Sequence, residues 1–402
     1  MFFKYLRKPT PTDLLTSGEA FQYFEYGMSV LGWMAPPKYQ FVYSMMAFFL
    51  ISWCVYYLPI GIIISFVIDI KNYNPSELLT VLQLFFNSVG TPLKILILRV
   101  HLWRFREAKN LLIQMDNRCT AIVERLEVHK WVVNCNKAYL IYICMYIGYT
   151  LSTFLSAAFS GVLPWRIYVP FIDFRHSATS FWMAATHETL LMLFSVSQTL
   201  LTDIYPVLYG LMLRVHIRLL RMRVEKLCTD PDKSENENME DLISSIKDHK
   251  LIHECAQMIH PVIARTILVQ FLLIGLPLGF SMINLFYFAD LWTGLATVAY
   301  INGLMMQTFP FCFLCDLIKS DCELLQIAIF HSNWLNTSRR YKTSLIFFLF
   351  NSQKYVIFTA GSVFPISTST NVKMAKLAFS VFTLVSQFNI ADRLTTNKNK
   401  IQ

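Results

Sequence analysis

Long apolar runs separated by short polar breaks dominate the chain. A helix needs about 20 mainly apolar residues to cross the hydrocarbon core of a bilayer. Seven runs meet that length, and they are 41–70, 76–98, 138–163, 189–213, 262–288, 291–318 and 370–388. The last is the most polar, because Lys373 and Lys376 occupy its first two turns. The pattern predicts an all-α, polytopic membrane protein with seven transmembrane helices.

Two further stretches have helical features but do not qualify as spans. The run 345–358 is short and is interrupted by polar residues at 351–354, so we expect a partly buried helix outside the bilayer. The stretch 242–258 follows an acidic patch and carries apolar residues at helical spacing. It predicts an amphipathic helix that continues the neighbouring spans below the membrane. Together these stretches predict a helical layer on one side of the bilayer.

The distribution of Lys and Arg predicts the orientation. Segments on the amino-terminal side of the membrane carry 27 of the 35 basic residues, and segments on the opposite side carry six. Lys94 and Arg265 lie within or at the ends of helices. Cytoplasmic loops retain basic residues. We therefore expect a cytoplasmic amino terminus and, after seven crossings, an extracellular carboxy terminus.

Composition agrees with membrane insertion. The chain is 55% hydrophobic and only 15% charged, which is more apolar side chain than one soluble core of this size can bury. The net charge of +9 could suggest nucleic acid, but the basic residues lie between apolar runs and are not interleaved with aromatics along one surface. The expected partner is a lipid bilayer, and nucleic-acid binding is not expected.

Motifs for catalysis or metal binding are weak. His249 and His253 have the spacing of helical metal ligands but lack a third ligand, so we interpret them as part of a solvated helix face. Cys312 and Cys315 form a single C-x-x-C inside an apolar run, which favours a packing role. The sequence contains no phosphate-binding glycine loop, serine elbow or paired carboxylates. We expect no enzyme activity, no cofactor and no metal.

Asp203 lies inside the fourth run. A carboxylate at membrane depth is costly and marks a functional candidate. If the helix extends below the bilayer, Asp203 would instead bridge helices at the interface. The sequence leaves both interpretations open.

The carboxy-terminal stretch 322–388 carries a sustained series of motifs. An acidic and then apolar helix precedes Trp334, and a basic Arg-Arg-Tyr triplet follows at 339–341. A Gln-Lys pair at 353–354, a glycine-containing break, and a final helix with Ser380 and Phe382 complete the series. The series resembles the insect odorant receptor family, and the length, the seven spans, the orientation and the KDHKLIHE stretch at 247–254 also fit. Tyr355 departs from the Pro of many members, and the tail 389–402 outlasts the usual end.

The resemblance implies a specific function. Members of the family are ligand-gated, nonselective cation channels, and an odorant-binding subunit assembles with a common co-receptor into a heterotetramer. The co-receptor carries a much longer cytoplasmic insert between helices four and five, which this chain lacks. The chain therefore looks like a ligand-tuning subunit in the plasma membrane of olfactory sensory neurons, in the dendrite or cilium. Gustatory receptors end in T-Y-x5-Q-F, whereas Ser380 and Val381 replace Thr and Tyr here.

The resemblance also implies a division of the chain. Residues 1–38 would form a cytoplasmic amino-terminal segment, and 39–318 would form helices one to six with cytoplasmic extensions. Residues 319–369 would form a cytoplasmic anchor that includes the first part of a split seventh helix. Residues 370–388 would line the pore, and 389–402 would form an extracellular tail. Leu384 and Phe388 match the family's apolar gate positions, with Gln387 as a polar pore residue, although the two apolar side chains could also merely pack against neighbouring helices.

The family's odorant pocket lies in the outer half of the bundle among helices two, three, four and six. Under the predicted topology, twelve residues are candidates for this pocket, although many of them could be ordinary packing. They are Phe85, Phe86, Val89, Thr150, Thr153, Phe154, Ala157, Thr189, Met192, Leu193, Tyr300 and Leu304. An apolar, aromatic cage with a few hydroxyl groups suits a small volatile molecule with one polar function, such as an ester, alcohol or ketone.

Two other classes of membrane protein remain as alternatives. A G-protein-coupled receptor is the usual interpretation of seven helices, but the predicted orientation opposes it and the final span lacks N-P-x-x-Y. A secondary transporter would usually show repeated halves with broken midplane helices, and the sequence contains no such repeat.

Overall fold

The computed structural model of the 402-residue chain describes residues 2–10, 13–70, 73–170 and 172–387. Helices α1 to α6 are Gln22–Val30, Gln40–Ile51, Tyr57–Asp69, Pro75–Val100, Leu102–Asn117 and Ile122–Ser160. Helices α7 to α11 are Ala178–Val224, Glu235–Ile283, Leu291–His331, Arg339–Ser352 and Thr368–Gln387. Strands β1, Thr359–Ala360, and β2, Phe364–Pro365, form an antiparallel hairpin. Short 3₁₀ helices cover Phe2–Leu6 and Ser17–Phe21, and π-helical turns cover Ser52–Tyr56 and Asn284–Phe288.

Six helical segments within the described residues are long and apolar enough to cross a membrane. They are Gln40–Asp69, Pro75–Val100, Ile122–Ser160, Ala178–Val224, Glu235–Phe288 and Leu291–His331. These six contain the first six predicted spans, apart from residue 70 and residues 161–163. Helix α11 has 20 residues, enough for about 30 Å, but it is less apolar than the six. The helical fold is confirmed, and the seventh crossing stays a prediction.

Several spans continue far beyond their apolar runs. Helix α7 has 47 residues and begins at Ser177, whose hydroxyl accepts a hydrogen bond from the Ser180 amide. Helix α8 has 49 residues and begins in the same way at Ser234. It therefore includes the predicted amphipathic stretch 242–258 and the fifth span in one rod. Hydropathy marks only the membrane-buried part of such a helix, whereas the caps mark its true start.

The predicted helix 345–358 is wrong in its bounds. Helix α10 begins earlier, where the Ser338 hydroxyl accepts from the Tyr341 amide, and ends at Ser352. Residues 355–358 are not helical, and the side chains of Val356 and Phe358 are buried in the core. The chain then turns at Gly361, whose φ of +58° suits glycine and whose amide donates to the Ala264 carbonyl at 2.8 Å. The all-α prediction missed this small hairpin.

The amino-terminal segment packs against the long helices. The Leu15 amide donates to His129 Nδ1 at 3.0 Å, and the Ser17 amide and hydroxyl donate to the Asp116 carboxylate at 2.5 and 2.7 Å. His216 Nε2 lies 3.1 Å from the Ser17 hydroxyl. Burial raises the pKa of Asp116 to about 6, against the opposing effect of the Ser17 hydrogen bonds. Residues 13–21 are thereby fixed to α5, α6 and α7.

Candidate functional site

A cavity of about 80 Å³ lies at the end of the bundle that is predicted to face outside. It is formed by the start of α4, the last part of α6, the loop 162–166 and the start of α9. Its lining residues are Ser76, Glu77, Thr80, Val81, Gln83, Leu84, Tyr149, Thr153, Ser156, Ala157, Ser160, Val162, Leu163, Pro164, Trp165, Arg166, Thr293, Ala296, Thr297 and Tyr300. Ligand pockets in proteins commonly combine apolar walls with a few polar groups in this way.

The loop 162–166 forms one wall of the cavity and is held by a buried carboxylate. Glu188 of α7 is fully buried and accepts hydrogen bonds from the amides of Trp165 at 3.1 Å and Ile167 at 2.8 Å. Between them, Arg166 adopts a left-handed φ of +50°, which is uncommon for a residue with a side chain. Two hydrogen bonds around one unfavourable residue keep the loop in this shape.

The polar groups of the cavity are mostly paired with one another. Arg166 forms an ion pair with Glu77 at 2.9 Å, which leaves the wall neutral. The Tyr149 hydroxyl accepts from Trp165 Nε1 at 3.3 Å, and the Tyr300 hydroxyl donates to the backbone carbonyl of Gln83 at 3.2 Å. The Tyr149 and Tyr300 rings lie 5.4 Å apart. Such a cavity suits a small, uncharged, partly apolar molecule.

Three of the twelve candidate pocket residues line this cavity: Thr153, Ala157 and Tyr300. Two others lie just beneath it in the packed interior. Thr150 is buried and donates to the Tyr146 carbonyl, and Leu304 packs with Tyr300.

The other seven candidates lie elsewhere among the helices. Phe154 packs against Trp182, Thr189 donates to its own helix, Met192 is in the core, and Leu193 is half-buried. Phe85, Phe86 and Val89 are half-buried on α4, and the Phe86 ring lies 6.0 Å from Phe280.

Two parts of the cavity wall were not predicted from the sequence. They are the loop 162–166 and the first turn of α4. Trp165, Arg166 and Glu77 follow no periodic pattern. Arg166 contributed to the predicted orientation only as one of the six basic residues on the outer side. A weak signal was present, because the outer connection 164–186 is the one long segment on its side of the predicted topology. Long loops in compact domains are often functional.

A packed cluster joins the cavity to α11. Tyr300 and Leu304 of α9, Ile274 and Leu278 of α8, and Ala378 of α11 form one buried group. Tyr149 and Met374 pack against its edges. Side chains that line the cavity are thus separated from α11 by a single layer of residues.

Below this cluster, polar side chains from five helices meet. Lys94 Nζ of α4 donates to Asp203 Oδ1 of α7 and to Gln270 Oε1 of α8, each at 2.7 Å. The Tyr146 hydroxyl of α6 donates to Asp203 Oδ2 at 2.7 Å. Gln270 in turn donates to Gln307 of α9. Asp203 therefore bridges helices inside the bundle, and its partner Lys94 was not identified from the sequence.

Two of the three candidate gate residues, Leu384 and Gln387, lie near the end of α11. Leu384 is 53% exposed in the single chain, so neighbouring helices do not cover it. Gln387 is the last residue of α11. Phe388 and the tail 389–402 lie outside the described residues. Cys312 and Cys315, by contrast, are buried in the main core, as expected for packing residues.

The family was identified by comparison with known proteins. A family model described as 7tm Odorant receptor matches residues 74–379. Odorant receptor 98a of Drosophila melanogaster is 64% identical over 397 residues, which cover 99% of this chain and 100% of the relative. Odorant receptor 42b of the same organism is 44% identical, over 99% of this chain and 100% of the relative.

A solved structure has the same fold. The insect olfactory receptor OR5 from Machilis hrabei matches with a TM-score of 0.76 over 92% of this chain and 97% of that chain, at 14% identity. The complex of that receptor with eugenol matches with a TM-score of 0.74 over 92% of this chain and 99% of that chain. The sequence matches establish more than the fold: the chain belongs to the insect odorant receptor family, whose members are receptors and not enzymes.

Proposed function

We propose that the chain is the odorant-binding subunit of a heteromeric, ligand-gated, nonselective cation channel. It assembles with the common co-receptor in the plasma membrane of olfactory sensory neurons, with its amino terminus inside. The outer cavity binds a small volatile molecule, and α11 lines the pore. The observation that best supports this proposal is the buried cluster between the cavity and α11. It contains Tyr300, Leu304, Ile274 and Ala378.

The coupling follows from differential binding. A ligand shifts a closed–open equilibrium only if it binds the open state more tightly. Because buried side chains are close-packed, we expect a ligand that displaces Tyr300 to shift Leu304 or α11 as well. Separation of the exposed Leu384 side chains around the pore would then let water and cations pass, since an apolar constriction closes by dewetting.

Electrophysiology tests this function. The chain is expressed with a co-receptor, and a panel of esters, ketones and alcohols is applied during whole-cell recording. We expect at least one volatile to evoke a cation current that is absent from cells with either subunit alone. A complete lack of volatile-evoked current, with both subunits detected at the cell surface, would refute the channel proposal.

A further inference from the structure

Helix α11 has a packed stripe and an opposite, uncovered stripe. Asn371 and Ala378 are buried, and Phe382 packs its ring against Phe286 and Tyr287. At about 100° per residue, the opposite stripe contains Lys373, Lys376, Ser380, Leu384 and Gln387. The first four of these side chains are exposed in the single chain. Both lysines therefore share the stripe of the proposed gate residues.

The charge on this stripe is not compensated within the described part of the chain. Helix α11 contains no Asp or Glu, and neither lysine forms an ion pair with any described residue. Asp316 accepts a hydrogen bond from the Thr368 amide at 2.9 Å, about one and a half turns before Lys373. The two ammonium groups thus project from α11 without an acidic partner.

The position along the helix assigns the lysines to one mouth of the pore. Lys373 and Lys376 lie roughly 16 and 12 Å from Leu384, measured at 1.5 Å per residue. They occupy the end of α11 that follows the hairpin, which is the cytoplasmic end in the proposed topology.

We propose that Lys373 and Lys376 are determinants of ion permeation. The two lysines form a positively charged inner vestibule and make the cation current rectify inward. The inference rests on the proposed channel function and adds a property that this subunit contributes to the pore.

Electrostatics gives the direction and the size of the effect. A fixed positive charge at the inner mouth lowers the local concentration of cytoplasmic cations, so outward current falls while inward current is less affected. One unit charge at about 8 Å in water reduces the local monovalent cation concentration roughly twofold before screening. Physiological salt, with a Debye length of about 8 Å, reduces this effect but does not abolish it.

Current–voltage curves of the heteromer test the proposal. Volatile-evoked currents are recorded at membrane potentials between roughly −80 and +80 mV. The recordings compare the native chain with the variants K373Q/K376Q and K373E/K376E. K373R/K376R preserves the charge, and K226Q removes an exposed cytoplasmic lysine at the end of α7. Surface labelling in each recording shows whether the receptor reaches the cell surface. If a double variant does not reach it, the single variants K373Q and K376Q are recorded instead.

We expect the ratio of outward to inward current to rise roughly two- to fourfold in the glutamine variant and further in the glutamate variant. The arginine variant and K226Q should match the native chain. If the glutamine and glutamate variants keep the native curve, the inner-vestibule proposal is wrong while the channel function stands. If the native heteromer gives no volatile-evoked current, the channel function itself fails.

Discussion

Two buried carboxylates in this bundle, those of Asp203 and Glu188, have partners that offset the cost of burying them. Asp203 is ion-paired with Lys94 and accepts from the Tyr146 hydroxyl, while Glu188 binds two backbone amides. Isolated charges at such positions would be expensive, whereas paired and hydrogen-bonded ones are tolerated. The loop wall of the cavity and the junction of five helices both depend on these carboxylates.

The Lys94–Asp203 pair gives a prediction for stability. Replacing only one partner, as in K94M or D203L, leaves a buried charge unpaired and should cost about 3–5 kcal/mol. The double variant K94M/D203L removes both charges and should regain most of this loss. Thermal unfolding of detergent-solubilised protein and surface abundance provide the measurements. A double variant that is no more stable than the single variants would contradict the prediction.

Ala157 tests the cavity directly. Its side chain lines the outer cavity, so A157F fills part of the ligand volume and should raise the half-maximal concentration of an activating volatile at least about tenfold, equivalent to 1.4 kcal/mol. Leu155 is exposed on the same helix, and L155F is the matched control with an unchanged dose response expected. Equal responses of A157F and the native receptor would place the ligand elsewhere.

At the scale of elements, α11 and the amino-terminal segment are held to the bundle in different ways. Helix α11 packs along one stripe against α8 and α9 and leaves Leu384 uncovered. The segment around Ser17 is fixed by hydrogen bonds to a buried carboxylate. The first arrangement permits the helix to move against the bundle, and the second ties a loop to three helices.

A polar substitution in α11 tests the gate. L384S should raise basal current, because a hydroxyl group stabilises water in an apolar constriction. L384I retains apolar volume and should behave like the native chain. Recording in the absence of volatile, with the co-receptor present, measures the effect. Identical basal current, ion selectivity and gating in L384S would mean that Leu384 only packs.

Asp116 predicts a pH dependence of stability. Its folded pKa of about 6 lies above the ordinary value of 3.8 because of burial. The raised pKa means that its stabilising contribution is fully present below about pH 3.8 and is lost as pH rises through about 6. The rise of this pKa from 3.8 to about 6 corresponds to at most about 3 kcal/mol. The unfolding temperature of D116N, relative to that of the native chain, should therefore be higher at pH 7 than at pH 4.5. If this difference is the same at both pH values, Asp116 is not the origin of a pH-dependent stability.

At the scale of the whole molecule, six long helices and α11 form one bundle with the cavity at one end and the hairpin at the other. Several helices extend well past the membrane-spanning runs, as α7 and α8 do with 47 and 49 residues. The basic residues lie mostly at the hairpin end. This asymmetry predicts that the hairpin end faces the cytoplasm.

Accessibility and glycosylation test that orientation. An epitope at the amino terminus should be labelled only after permeabilisation. The natural sequon at Asn336, which is exposed after α9, should carry no glycan because the predicted topology assigns it to the cytoplasmic side. A sequon introduced into the loop 172–177 is the positive control and should be modified. A glycan on Asn336 would reverse the topology.

The sequence by itself determined the helical membrane fold and the approximate spans. Hydropathy and the distribution of Lys and Arg act residue by residue, because transfer into lipid is a property of each side chain and its neighbours in the chain. The carboxy-terminal motifs also indicated the family that the sequence matches confirmed.

Only the tertiary structure decided the composition of the cavity and the pairing of charges. Glu77 and Arg166, or Lys94 and Asp203, are separated by about 90 to 110 residues, and no local pattern relates them. The loop at 162–166 is held against the cavity because Glu188 binds the amides of Trp165 and Ile167. Residues 355–358 leave the helical conformation where Val356 and Phe358 pack into the core. Contacts between distant segments depend on helix packing, which periodicity along one chain does not encode.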